Sequence, residues 1–238
     1  MLTDSALTDD PAELQTIDDV LARMEAIQAL LPEDDGVARF NRVYHQVTSD
    51  LGQRLRAQPS QFKQATWLES LDVTFAKLYF GAVRTAVTTP DDTPHCWYPL
   101  LVEQRHNPQI STLQFVLGGM AAHIGHDLPL ALLSGASRRS PLLRARRDDY
   151  QRVNGILAQA DSELRLTLLP RAMAEIAPVH QAESVVENWD ISRARDAAWL
   201  AAELLWRIRG VHMLYSAAVA ELDRTIGMLS RLLLFAPP

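Results

Sequence analysis

The chain has 238 residues, 47% of them hydrophobic, which is enough for a substantial core in one large domain or two small ones. Its 23 basic and 29 acidic residues leave a net charge of −6, a balance that argues against a nucleic-acid partner. Cys96 is the only cysteine, so no internal disulfide is expected and no thiolate zinc site.

The N-terminus, Met1-Leu-Thr-Asp-Ser5, lacks a basic-then-apolar signal segment, and residues 1–10 read as a flexible leader. No apolar run reaches the ~20 residues of a membrane helix, so the expected location is the cytoplasm. Thr8-Asp-Asp-Pro-Ala-Glu13 reads as an N-cap with proline in the first turn, opening a helix that runs to about Leu31. Pro32-Glu-Asp-Asp-Gly36 stops it. A second helix, about Val37–Ala57, carries Phe40, Val43, Tyr44, Val47, Leu51 and Leu55 at spacings of three and four. Pro59-Ser60 separates it from a third, about Phe62–Val87, and Thr88–Pro94 is a loop.

A short helix is expected at Trp97–Arg105. A central helix begins at Ser111 and should break or bend near Asp127–Pro129, because proline removes a donor and restricts the residue before it. Leu143–Leu169 follows in one piece or two, then a short helix near Arg171–Ile176. Ser192–Arg209 and His212–Leu234 complete the set. No strand alternation, Gly-rich phosphate loop, heptad seam or repeat is present. The expected fold is all-α, a single compact domain of about eight helices over residues 1–238.

Few polar residues fall on apolar faces. His123 and Asp127, four residues apart, lie at the edge of the stripe formed by Leu113, Val116, Leu117, Met120 and Ile124, so both point the same way. His126 lies roughly 100° further round and should be more exposed. Asp127 could equally cap a helix starting at Leu128. Asp72 sits beside Leu71 and Phe75 on the buried stripe of the third helix; an unpaired buried carboxylate costs several kcal/mol, so it needs a partner. Arg195, Trp199, Glu203 and Trp206 share one helix face, where they either wall a pocket or form a wet-edged core. Asp149, Tyr150 and Asn154 add an acid, a phenol and an amide. His180 is a free candidate ligand. Arg138, Arg139, Arg144, Arg146 and Arg147 read as a solvated loop and helix start, with an anionic substrate or partner as the alternative.

Nucleophile templates fail. There is no Gly-x-Ser-x-Gly elbow and no His-Glu-x-x-His, and His95 beside Cys96 does not make a dyad. What remains is a set of His123, Asp127 and Asp72, suited to acid–base work or to one divalent metal held by all three.

The strings Asp35-Gly-Val-Ala-Arg-Phe-Asn41-x2-Tyr44, Leu71-Asp72-Val-x-Phe75-Ala76-x-Leu-Tyr79 and Gly119-Met-Ala-Ala-His123-Ile-Gly-His126-Asp127-Leu-Pro129 resemble the bacterial domain-of-unknown-function family 5995. Asp149-Tyr150-x2-Val153-Asn154, Arg195-x3-Trp199 and Leu205-Trp206 extend the resemblance, which runs from about residue 17 to 209. It implies an all-helical domain and brings no established reaction. The family pattern has asparagine where Ala121 and Gly125 stand here. More loosely, His123-x3-Asp127 resembles the zinc-binding helix of zinc-dependent phospholipase C and related nucleases. Those enzymes use several further histidines and a ligating N-terminal residue. This chain has only His45, His95, His106, His123, His126, His180 and His212, and its N-terminus reads as an ordinary leader, so the similarity implies at most a single-metal site.

The expected function is a small-molecule enzyme of bacterial, specialised metabolism, with His123, Asp127 and Asp72 in a pocket lined by Tyr79, Trp97, Tyr150, Asn154, Arg195, Trp199, Glu203 and Trp206. Its chemistry would be that of a cyclase or isomerase, or of a metal-dependent hydrolase, on a small hydrophobic molecule. The alternatives are a non-catalytic binder of such a molecule and a helical interaction module that forms a homodimer.

Overall fold

Caps and prolines, more than apolar periodicity, decide where the helices of this chain begin. The computed structural model describes residues 5–134, 146–157 and 190–235; among these the regular elements are helical and no strand occurs. Helix α1, Ser5–Thr8, is a single turn whose Leu7 is buried, so this part of the expected leader packs into the core. Thr8–Glu13 does not open the first long helix. It forms a 3-10 turn, Pro11–Glu13, capped by Asp10. Helix α2, Ile17–Leu30, starts at Thr16 instead, where Thr16 and Asp19 cap one another reciprocally and satisfy two orphan N–H groups.

Helix α3, Gly36–Ala57, is capped by Asp35, which accepts from Val37 N–H at 2.8 Å and from Arg105 Nε at 2.9 Å. Helix α4 spans Ala65–Thr88. The short helix expected at Trp97–Arg105 is a π-helical turn, Pro99–Glu103. Helix α5, Thr112–Ala122, opens on a Ser111/Gln114 capping box and runs through a π-helical turn, His123–Asp127, into α6, Leu128–Ser134. Helix α7 covers 146–157. Helices α8, Ile191–Ile208, and α9, His212–Leu233, follow the sequence expectation closely. The remainder of the expected Leu143–Leu169 segment, the Arg171–Ile176 helix, His180, and Arg138, Arg139 and Arg144 lie outside the described residues.

Helices α5 and α6 with the turn between them form a central rod, against which α3, α4, α8 and α9 pack. The expected break at Pro129 is a widened turn: Leu128 N–H reaches back five residues to the His123 carbonyl, so the rod accommodates the missing proline donor without ending. Contrary to the sequence expectation, Thr112–Ser134 is long and apolar enough to cross a membrane by length and composition alone, but 78% of its most apolar window is buried against neighbouring helices. Glycines set how closely those neighbours approach. A Cβ on Gly119 would stand 2.2 Å from the Phe40 ring, and one on Gly125 would stand 2.6 Å from Ile226.

These contacts predict opposite outcomes for two similar substitutions. Gly119→Ala should destabilise by about 1–3 kcal/mol through overpacking against Phe40. Gly81→Ala, in the interior of α4 with nothing within 4 Å of the added methyl, should stabilise by about 0.5–1 kcal/mol. Urea melts of the two variants measure both; equal effects would refute the packing account.

Candidate active site

The π-helical turn brings three titratable side chains of the central rod into burial together. Asp127 Oδ2 accepts from Trp97 Nε1 at 2.9 Å and bonds His123 Nδ1 at 3.0 Å, while Asp127 Oδ1 bonds His126 Nδ1 at 2.8 Å. The expectation that His126 would be exposed is therefore corrected: it is 7% exposed, because α9 also packs against the turn that carries it. Indole donates only, and an ionised carboxylate accepts only, so both histidines present Nδ1–H to Asp127. Burial alone would push the Asp127 carboxyl up, but the hydrogen bonds from His123 and His126 hold it below its usual range. Burial lowers His123 and prevails over Asp127, keeping the ring neutral, whereas at His126 Asp127 and Asp223 outweigh burial and raise it.

Neutral His123 with a proton on Nδ1 leaves Nε2 as a bare base. That atom is buried and has no hydrogen-bond partner among the described residues. The ring stacks on Phe75, with centroids 3.4 Å apart and planes 6° from parallel, and Tyr44 meets its edge at 4.5 Å. Phe40, Tyr79 and Trp97 complete an aromatic box within 6.2 Å of the imidazole.

Beside this box lies a cavity of about 90 Å³, walled mainly by aliphatic side chains of α3, α4, α7 and the central rod, among them Val47, Leu51, Leu68 and Val153. Its charged or titratable lining residues are His123, Asp72, Arg195 and Tyr44. Asp72 is 8% exposed, and its Oδ2 has no partner among the described residues. Burial pushes it up to about 7; Arg195 pulls the other way, and Glu69 adds to the rise. Arg195 is held from behind: Nε donates to Asn154 Oδ1 at 2.6 Å, Nη2 donates to the Tyr150 carbonyl at 3.0 Å, and the Tyr150 ring lies 4.0 Å beneath the guanidinium.

The residues singled out from sequence thus separate by position. His123, Asp72 and Arg195 line the cavity, and Asp127, Tyr79 and Trp97 stand behind His123. Tyr150 and Asn154 position Arg195. Asp149 caps α4 from α7, accepting from Lys63 N–H and Gln64 N–H. Trp199, Glu203 and Trp206 do not line the cavity: the Trp199 indole donates to Glu203 and packs on Tyr150, and Trp206 sits under Arg209. The expected metal ligands do not converge on one point. Among the described residues, the side chains whose ligand atoms gather within 4.8 Å of one another are Cys96, His126 and Asp127. Sequence reasoning assigned no site role to Phe40, Tyr44 or Phe75. The signal for them was the four-residue spacing of Phe40 with Tyr44 and of Phe75 with Tyr79, which puts paired aromatics on one face of each helix.

Fold and site together define an all-α protein in which one buried carboxylate holds two imidazoles beside an aliphatic cavity. The chain belongs to the family of unknown function DUF5995, whose model matches residues 17–236. No protein of curated function and no solved structure matches it.

Asp72 yields a stability prediction. Its folded pKa, about 7, lies above the usual 3.8, so the folded protein holds a proton there that the unfolded chain releases between those values. Stability that is full in acid is lost as pH rises through 7. Asp72→Asn, which resembles the protonated form, should change little near pH 4 and stabilise by about 2–4 kcal/mol at pH 8. Denaturant melts at the two pH values decide it; an Asn variant that is less stable at pH 8 would show that the carboxylate has a partner.

Proposed function

We propose that the protein is an acid–base enzyme acting on a small hydrophobic molecule held in this cavity, with cyclase- or isomerase-type chemistry. The observation that carries the reading is the buried Nε2 of His123, without a hydrogen-bond partner among the described residues, in a ring that lines an apolar cavity while its Nδ1 is fixed by Asp127. A buried polar atom without a partner is costly, and such costs concentrate where a ligand or reacting group supplies the missing bond. His123 Nε2 would take a proton from the substrate, and ionised Asp127 would stabilise the imidazolium that results. Asp72, largely protonated up to about pH 7, would return a proton at a second position, and the two groups would then re-equilibrate. Two carboxyls with environments that push them apart suit this division of labour. Metal-assisted hydrolysis is the weaker reading on the chemistry of the donors, because both Asp127 oxygens already accept N–H groups and Asp72 stands apart from them.

A second reading, pairing with another copy of the chain, has its own observation. Helix α9 and Phe235, two residues beyond it, expose large apolar side chains: Met213 at 84%, Leu232 at 75% and Phe235 at 62%. Sedimentation velocity over a concentration series tests it; a mass fixed at 26.6 kDa throughout would exclude it.

The enzymatic reading is tested by solvent-deuterium wash-in. A set of small apolar ketones and unsaturated acids is incubated with the protein in heavy water and followed by mass spectrometry. At least one should incorporate deuterium. His123→Asn, which keeps a donor toward Asp127 but removes the base, should slow incorporation by about 100-fold or more with the melting temperature nearly unchanged. His126→Ala should retain incorporation but lose about 1–3 kcal/mol of stability, since it leaves Asp127 Oδ1 buried without its partner. A fully active His123→Asn protein would sink the assignment.

A further inference from the structure

Arg195 is 7% exposed and lines the cavity, yet no carboxylate among the described residues lies within ion-pair distance of it. Its Nε and Nη2 are taken by a side-chain amide and a main-chain carbonyl, both neutral, which leaves Nη1 without a hydrogen-bond partner among the described residues. A buried cation left uncompensated is expensive, and the neutral acceptors behind it fix its direction without neutralising it. Burial lowers its pKa, and Tyr150, Asp196 and then Asp72 act against that only at a distance, through their charge. Most of the rest of the wall is apolar: Val43, Val47 and Leu51 follow one another along α3 at helical spacing, and Leu68 and Leu71 do so along α4.

We infer that the molecule bound in this cavity carries a carboxylate, which pairs with the Arg195 guanidinium while its aliphatic body lies along α3 and α4. The inference rests on the reading of the cavity as the substrate site and adds the substrate class, an aliphatic carboxylic acid. The fork of Arg195 is well matched to a carboxylate, and two of its three nitrogens are already immobilised, so little side-chain entropy is lost when the ligand binds. Asp72 does not oppose this while protonated, because burial pushes its carboxyl up to about 7, with Arg195 lowering it and Glu69 raising it. Its O–H would then donate to the ligand carboxylate or to a substituent near it. This arrangement would place the carbons adjoining the carboxylate among Arg195, Asp72 and His123, which line the cavity together with Tyr44.

The test uses the full chain and three matched series of probes: unbranched alkanoates from butanoate to decanoate, the primary alcohols of the same lengths, and the corresponding amines. Binding is measured by calorimetry at pH 6.5. The expected result is that the best alkanoate binds about tenfold or more tightly than its alcohol, while the amine does not bind. Arg195→Lys should keep part of that preference and Arg195→Met should remove it. Because either variant could perturb the Tyr150–Asn154 contacts, the wild-type comparison of acid, alcohol and amine stands by itself. Alcohols binding as tightly as acids would overturn this inference and leave the cavity a ligand site. Amines binding best would overturn it too and make Asp72 the anchor. If no probe of any class binds, the cavity reading fails along with it.

Discussion

The constraint on which this molecule depends is the need to satisfy one carboxylate in an apolar interior. Asp127 sits in the middle of the central rod, and an ionised carboxylate there would cost several kcal/mol unpaired. Three N–H donors from Trp97, His123 and His126 remove that cost, and hydrogen bonds to a charged acceptor are roughly twice as strong as neutral ones. Because all three donors meet the same two oxygens, the carboxylate fixes the orientation and tautomer of both imidazole rings. The π-helical turn belongs to this arrangement. It carries His123, His126 and Asp127 through a segment where a plain α-helix would meet Pro129 without a donor, and π-turns recur at functional positions.

The energetic character of the two faces of His123 differs sharply. Toward Asp127 every polar atom is paired. On the residues that line the cavity, His123 Nε2, Asp72 Oδ2 and the Tyr44 hydroxyl are buried and unpaired among the described residues, and Arg195 has no described counter-ion at contact distance. A fold selected only for stability would fill such a space with methyl groups, as α3 and α4 do along the rest of its wall. The concentration of unsatisfied groups on one side of one cavity is therefore the feature that separates a site from a core.

Much of this was legible in the sequence, and the reasons are particular. The all-α fold follows from unbroken helical periodicity, and helices α8 and α9 were placed nearly to the residue. The pairing of His123 with Asp127 follows from a four-residue spacing that survives in the widened turn. Asp72 and Arg195 were recognisable as polar residues on apolar stripes. What failed has equally specific causes. His126 was misplaced because a helix wheel assumes one covered face, whereas this rod is covered by α9 as well as by α3 and α4. Trp199 and Trp206 share an arc with Arg195, but only the arginine lies on the part of that arc that meets the cavity. The start of α2 was misjudged because Pro11 drew attention from the Thr16/Asp19 box. The mutual reach of Cys96 with His126 and Asp127 is tertiary, and no spacing in the chain encodes it.

The central claim is that burial keeps His123 neutral against the pull of Asp127, while Asp127 fixes the proton on Nδ1 and leaves Nε2 bare in a ring that lines the cavity. Long-range proton–nitrogen correlation spectra of the imidazole nitrogens, recorded from pH 8 downward, test it directly. The account predicts a protonated Nδ1 and an unprotonated Nε2 at neutral pH, a ring that takes up its second proton only below the usual histidine value of 6.5, and loss of the fixed tautomer in Asp127→Asn. A His123 ring that carries its proton on Nε2, or that is already an imidazolium at pH 7, would contradict it.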